Sequence, residues 1–148
     1  MSTPVPFSKR SVALAQTAYY LPTSIWPILH IRSFEWITGP KVDRWLVKTV
    51  AGLIGMAGST IGLAAARDRI TPEIEWLGIG SALTLATIDL VYVRRRRIRP
   101  VYLLDAAANL GLAAGYLAAR GYDGGQGWPE PPEPQPGPGV AARDYSRV

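Results

Sequence analysis

Two aspartates, Asp89 and Asp105, sit inside apolar runs on either side of a basic turn in the stretch IDLVYVRRRRIRPVYLLDAAAN. The order is mirror-like. Asp89 stands three residues before Tyr92 and Tyr102 three before Asp105, one helical turn on each side of Arg94, Arg95, Arg96, Arg97 and Arg99. Carboxylates among apolar residues are costly unless partnered, so their chemistry would be that of a polar latch, a small-solute pocket or a proton site. If the flanking segments are antiparallel helices, His30, Lys48, Asp89 and Asp105 come to one level, and Asn109 lies one turn deeper. Lys48 is the natural counter-charge. A lysine between two carboxylates keeps at least one ionised, whereas two carboxylates without it force a proton onto one of them. Tyr92 and Tyr102 are spaced to donate hydrogen bonds to the pair.

The elements that must carry these residues are four long apolar segments, at about residues 11–29, 45–66, 74–93 and 101–119. At 1.5 Å per residue each gives a helix of about 28 to 33 Å, close to the thickness of a bilayer's hydrocarbon core. A water-facing helix needs a polar stripe at 3.6-residue spacing, and the run TVAGLIGMAGSTIGLAAA has none. The expected fold class is therefore all-α, an integral membrane four-helix bundle. The alternative is a soluble four-helix bundle. The mean hydropathy of the 148-residue chain is only +0.09 because polar residues are concentrated in the connections and at the ends. The first segment is the weakest, diluted by Gln16, Thr17, Thr23 and Ser24 and interrupted by Pro22 and Pro27. It reads as a kinked span, with a signal peptide around VALAQTA as the alternative. The domain plan is an N-terminal arm at 1–10, the helical domain at 11–120 and a Pro/Gly-rich tail at 121–148 that is expected to be disordered.

Four spans put the first and third connections on one side and both termini on the other. Eight basic residues, Arg32, Lys41, Arg44 and the five arginines of the turn, stand on the first side, against Lys9, Arg10, Arg67, Arg69 and Arg120 on the second. The positive-inside rule then places the arginine side in the cytoplasm and the termini outside, for a multi-pass protein of the cell membrane. The first connection, SFEWITGPKVDRW, reads as an interfacial turn anchored by Trp36 and Trp45. In the second, Thr71 reads as a helix N-cap with Pro72 at the first helical position and Glu73 and Glu75 favouring the helix dipole. The closing YSRV has the pattern of a peptide that adds to a sheet edge, a weak signal.

Small residues recur every four positions, at Gly58, Gly62 and Ala66 in the second segment and Ala107, Gly111, Gly115 and Ala119 in the fourth. Such faces let helix backbones approach closely in lipid, within one bundle or between copies in a homo-oligomer or a larger membrane complex. The arginine run would also attract anionic lipid headgroups of the bilayer, at about 1 kcal/mol per residue.

At SFEWITGPKVDRWLVKTV and RIRPVYLLDAAANL the chain resembles small bacterial four-span membrane proteins with no assigned activity. The resemblance implies the topology over residues 12–119 and no reaction. Small multidrug exporters, similar in size, carry a glutamate in the first span where this chain has Gln16.

The absence of Cys excludes disulfides and thiolate sites, and a single His, His30, excludes a His-cluster metal site within one chain. No nucleophile stands beside a base and no phosphate-cradling loop is present, so catalysis, metals and cofactors are not expected. The net charge of +5 follows from topology, and no aromatic and basic platform suggests nucleic acid. The first expectation is a non-catalytic membrane protein of structural or assembly type, its polar cluster latching the helices. The alternative is a small carrier or proton-linked binding protein that uses Asp89, Asp105 and Lys48.

Overall fold

The computed structural model describes residues 8–123. The expected disordered tail and the closing YSRV lie outside the described residues, apart from the first few tail positions. The described chain is all-α: α1 (Lys9–Leu29), α2 (Ile31–Thr38), α3 (Arg44–Ala66), α4 (Pro72–Arg94) and α5 (Tyr102–Asp123). α3 and α4 are each long and apolar enough to cross a membrane.

Helix starts follow local chemistry. Ser8 caps α1 through a reciprocal pair of hydrogen bonds with Ser11, so Lys9 and Arg10 belong to the helix and not to an arm. α4 begins at Pro72, which has no N–H to leave unpaired, with Thr71 extended at the N-cap; the Thr71 hydroxyl makes no capping bond. α3 and α4 end alike. The N–H of Arg69 reaches the Ala64 carbonyl while that of Asp68 reaches Ala65, and Arg97 and Arg96 repeat the pattern onto Tyr92 and Val93. Asp68 and Arg96 thereby take the left-handed position usually given to glycine, at φ 53° and 55°.

The first connection is more structured than a turn. His30 breaks the backbone at φ −135°, ψ 65°, and the chain re-enters a helix, α2, which stops at Gly39 with φ 94°. Trp26 stacks edge-on against Phe34 at 5.7 Å and donates from its indole N–H to the Ser33 hydroxyl at 2.8 Å, fastening α2 to the end of α1. The Glu35 carboxylate accepts two hydrogen bonds from Arg44, at 2.9 and 2.8 Å, so α2 is also clamped to the start of α3. That paired guanidinium holds the Glu35 carboxyl below its ordinary range.

α1 packs along α3 and α4 along α5, and α1 also touches α5, which closes the arrangement. The α1–α3 seam is set by glycine. A Cβ at Gly58 would lie 2.9 Å from Tyr20 Cβ, and one at Gly62 2.7 Å from Thr17 Cγ2. Gly115 faces Val12 of α1 with a Cβ position 3.3 Å away. Three expected members of these faces fall elsewhere: Ala66 and Ala107 are exposed, and Gly111 has open space where a Cβ would stand. On α5 the buried stripe runs through Ala106, Asn109, Ala113, Tyr116 and Ala119, and Gly111 points away from it.

The interior combines small and polar side chains with a few branched apolar ones, Val12, Ile61 and Ile79. Ala13, Ala65, Ala82 and Ala119 are fully buried, as are Gln16, Asn109, Tyr20 and Tyr116. The outer surface carries the large apolar residues, among them Leu29, Trp45, Leu53, Met56, Leu104 and Leu117. Hydroxyls on that surface are turned inward: Thr49, Thr60, Thr84 and Thr87 each donate to the carbonyl four residues earlier, at 2.7 to 3.0 Å.

Gly58→Ala and Gly62→Ala force α1 and α3 apart and should each lower stability by about 1 to 3 kcal/mol. Gly111→Ala meets nothing and gains helix propensity, so it should raise stability by about 0.5 to 1 kcal/mol. Thermal melting of the purified protein in detergent ranks the three.

Candidate functional site

Three helices meet around a polar file. α1 contributes Gln16, Tyr19 and Tyr20; α4 contributes Gly78, Ser81 and Asp89; α5 contributes Asp105, Asn109 and Tyr116. Gln16 and Tyr20 are four residues apart and share a face of α1, as Asp105 and Asn109 do on α5. On α4, Glu75, Ala82 and Asp89 recur every seven residues, and all three are buried.

The middle of the file is fully partnered. Gln16 Nε2 donates to the Gly78 carbonyl at 2.9 Å and to Ser81 Oγ at 3.4 Å, while Gln16 Oε1 accepts from the Tyr116 hydroxyl at 3.0 Å. A Cβ on Gly78 would lie 2.8 Å from both Gln16 and Tyr116, so a glycine is what lets the amide reach the α4 backbone. The Tyr20 hydroxyl donates to Asn109 Oδ1 at 3.0 Å, and Asn109 Nδ2 donates to the Asp105 carbonyl at 3.0 Å. α1 is thus bonded to both α4 and α5 through buried side chains.

At the arginine end the file closes on two carboxyls. Asp89 is 6 % exposed, and it lies near enough to Asp105 for the two carboxyls to act on one another. The Tyr19 hydroxyl donates to Asp105 Oδ1. Asp89 Oδ2 is buried with no hydrogen-bond partner among the described residues. Two carboxyl groups in contact are favourable only with a proton between them, since like charges at that separation repel strongly in a poorly polarisable interior.

At the other end a single carboxylate is over-supplied with cations. Glu75, 4 % exposed, pairs with Lys9 at 3.6 Å and with Arg120, whose Nε donates to Oε1. The Arg120 guanidinium also sits 5.4 Å over the ring of Trp76. Glu75, expected as a helix-dipole residue, is an interior ion-pair residue that ties α1, α4 and α5 together.

The sequence-derived site residues are only partly assembled. Asp89, Asp105 and Asn109 come together as expected. Lys48 does not join them: it is exposed, and among the described residues it forms no ion pair. The helix face that carries it turns outward, because Ala51 and Gly58 take the interior of α3. His30 is exposed at the α1–α2 break. Tyr92 is 43 % exposed on the outside of α4, and Tyr102 accepts from Lys41 Nζ at 2.9 Å and does not serve the aspartates. The donor to the pair is Tyr19. Its signal, together with that of Gln16, Tyr20 and Tyr116, is the four- and seven-residue spacing of hydrogen-bonding side chains within otherwise apolar helices. Among the described residues no three His, Asp or Glu side chains gather as a metal ion would require.

No family model matches the chain, and no curated protein and no solved structure matches it. The residues therefore carry the functional reading alone.

Tyr116→Phe removes the donor to Gln16 Oε1 in the buried middle of the file and should cost about 1 to 3 kcal/mol. Tyr92→Phe, on the exposed face, should leave melting unchanged. A Tyr116→Phe protein that melts with the wild type would show the file to be dispensable for stability.

Proposed function

We propose that the chain is a multi-pass integral membrane protein that takes up and releases a proton at the Asp89–Asp105 pair. The observation that carries this reading is the buried Asp89 Oδ2, which among the described residues has neither a hydrogen-bond partner nor a cation in contact and stands beside a second carboxyl. A latch is built to satisfy its polar atoms, as the Gln16, Tyr20, Asn109 and Tyr116 portion of the file does. A buried carboxyl left partly unsatisfied beside a like group costs stability and returns nothing to it, the usual mark of a working group. The latch expected for the whole cluster therefore belongs to its middle, and the proton-linked alternative belongs to its end, with Tyr19 in the donor's place given to Tyr92 and Tyr102 and, among the described residues, no cation in that given to Lys48.

Three features support four spans, by α1, α3, α4 and α5. The large apolar side chains lie outside and the polar ones inside, which is stable against lipid and not against water. The exposed threonine hydroxyls are satisfied by their own helices, as a lipid-facing surface requires. Exposed Trp36, Trp45 and Tyr92 stand toward the arginine end and Trp76 toward the other; Trp76 and Tyr92, sixteen residues apart on α4, are about 24 Å apart along the axis, as two interfacial belts would be. Charge asymmetry favours a cytoplasmic arginine end, with the pair about one and a half turns inside it.

Asp89→Asn tests the proton site. Its amide can still donate to the Asp105 carboxylate, so the variant should melt at or above the wild-type temperature yet lose proton uptake into vesicles that carry a pH gradient and an entrapped pH-sensitive dye. Uptake equal to wild type, or a melting temperature lowered in the manner of a broken latch, would refute the reading. Topology is tested separately with single cysteines read by an impermeant thiol reagent in intact cells: Thr71→Cys should label, and Ile37→Cys and Ile98→Cys should not.

A further inference from the structure

Beside the arginine turn lies an open hollow of about 480 Å³, walled by residues 38–41 of the α2–α3 connection and by Val93 and residues 96–100 of the α4–α5 turn. Lys41, Arg96, Arg97 and Arg99 line it, and no acidic residue does. Its walls are fixed by specific bonds. Arg99 donates from Nη1 to the carbonyls of Trp36 at 3.1 Å and Ile37 at 3.4 Å, and its side chain lies against Gly39, where a Cβ would stand 3.2 Å from Nε. Lys41 is held by the Tyr102 hydroxyl and lies 5.0 Å over that ring.

Among the described residues none of the four cations forms an ion pair with a carboxylate, although the Lys41 backbone N–H donates to Glu35 Oε1 at 3.3 Å. Glu35, the acid of the adjoining helix, has both oxygens engaged by Arg44. Arg96 and Arg97 are exposed and form no ion pair among the described residues. Arg96 also holds the left-handed backbone position at φ 55°, where glycine would be less strained, and it lines the hollow. Forked guanidinium donors beside an ammonium match the oxygens of a phosphate better than a single carboxylate, which one arginine satisfies.

We infer that this hollow binds a phosphate group, with Arg96 and Arg97 as its principal donors and Lys41 and Arg99 as its positioned walls. The phosphate comes from an anionic lipid headgroup or from a soluble phosphate, because the same oxygens are presented by both. The expected headgroup attraction of the arginine run is thereby divided: Arg94 and Arg95, outside the hollow, supply only diffuse attraction. The inference does not depend on proton exchange at Asp89 and Asp105.

Two experiments on the full chain decide it. In phosphatidylcholine nanodiscs, phosphatidic acid should raise the melting temperature of the wild type. R94Q/R95Q should keep that rise and R96Q/R97Q should lose it, although the two variants remove equal charge. In a neutral detergent micelle, inorganic phosphate is compared with chloride at matched ionic strength. A rise with phosphate in the micelle identifies a soluble phosphate as a sufficient ligand, and a rise with phosphatidic acid alone identifies the lipid headgroup. No rise in either medium, or equal loss in both variants, overturns the site. Should R96Q/R97Q fail to fold, phenylglyoxal footprinting of the wild type gives the same decision: the phosphate source that raises the melting temperature should protect Arg96 and Arg97 and leave Arg94 and Arg95 reactive, and uniform protection of all four overturns it.

Discussion

Close backbone approach between α1 and α3 is the constraint on which the rest of the structure depends. At Gly55, Gly58 and Gly62 there is no side chain to hold the two helices apart, and Ser24, Tyr20 and Thr17 of α1 fill the space that a Cβ would need. With α1 held there, Gln16 faces α4 and Tyr20 faces α5, and their hydrogen bonds draw the second helix pair onto the first. Association of this kind relies on dispersion between closely packed helices and on buried polar bonds, beside a small apolar cluster around Ile61 and Ile79. The composition of the interior follows, with alanine where helices touch and Gln, Asn, Ser or Tyr where they must be bonded. Leu, Met and Trp are released to the outer surface.

The helices themselves were legible in the sequence because their apolar runs are long and their stops are written in local residues. Thr71 and Pro72 mark the start of α4, whereas the Ser8 cap of α1 was not read and Lys9 and Arg10 were assigned to an arm. α2 was not legible. Eight residues are too few to establish a period, and the Gly39–Pro40 turn signal dominated the connection. Asp89, Asp105 and Asn109 were found because polar groups in apolar runs are conspicuous one at a time. Lys48 was misplaced because level along the axis says nothing of azimuth: a residue can be at the right height and on the wrong face. Tyr19, Gln16 and Tyr116 were passed over for the opposite reason, since a tyrosine or glutamine in a helix is unremarkable until its partner on another helix is known.

The ends of the polar file show why the same residue type does different work at each. Glu75 is buried with Lys9 and Arg120 in contact, so its charge is compensated and the cluster is a fastening. Asp89 is buried to a similar degree, and its neighbour is another carboxyl. Five arginines lie within a few turns of it along the chain, yet the described contacts of Arg96, Arg97 and Arg99 point to the hollow and the α2 carbonyls, away from the pair. A fold that needed only to neutralise Asp89 had the cations nearby to do it.

That separation ties the two proposals together physically while leaving them independent experimentally. Positive charge held at the rim lowers the potential energy of an anion there and, across the few ångströms of helix between rim and pair, also opposes an added proton at Asp89. Direct contact with an arginine would fix both carboxyls in the ionised state and end any exchange. At a distance of about 7 to 8 Å along the helix, the turn can bias the pair without locking it. An anion seated in the hollow would cancel part of that bias, so occupancy of the hollow and protonation of the pair should favour one another. The coupling is reciprocal by linkage, and it requires no movement of the helices.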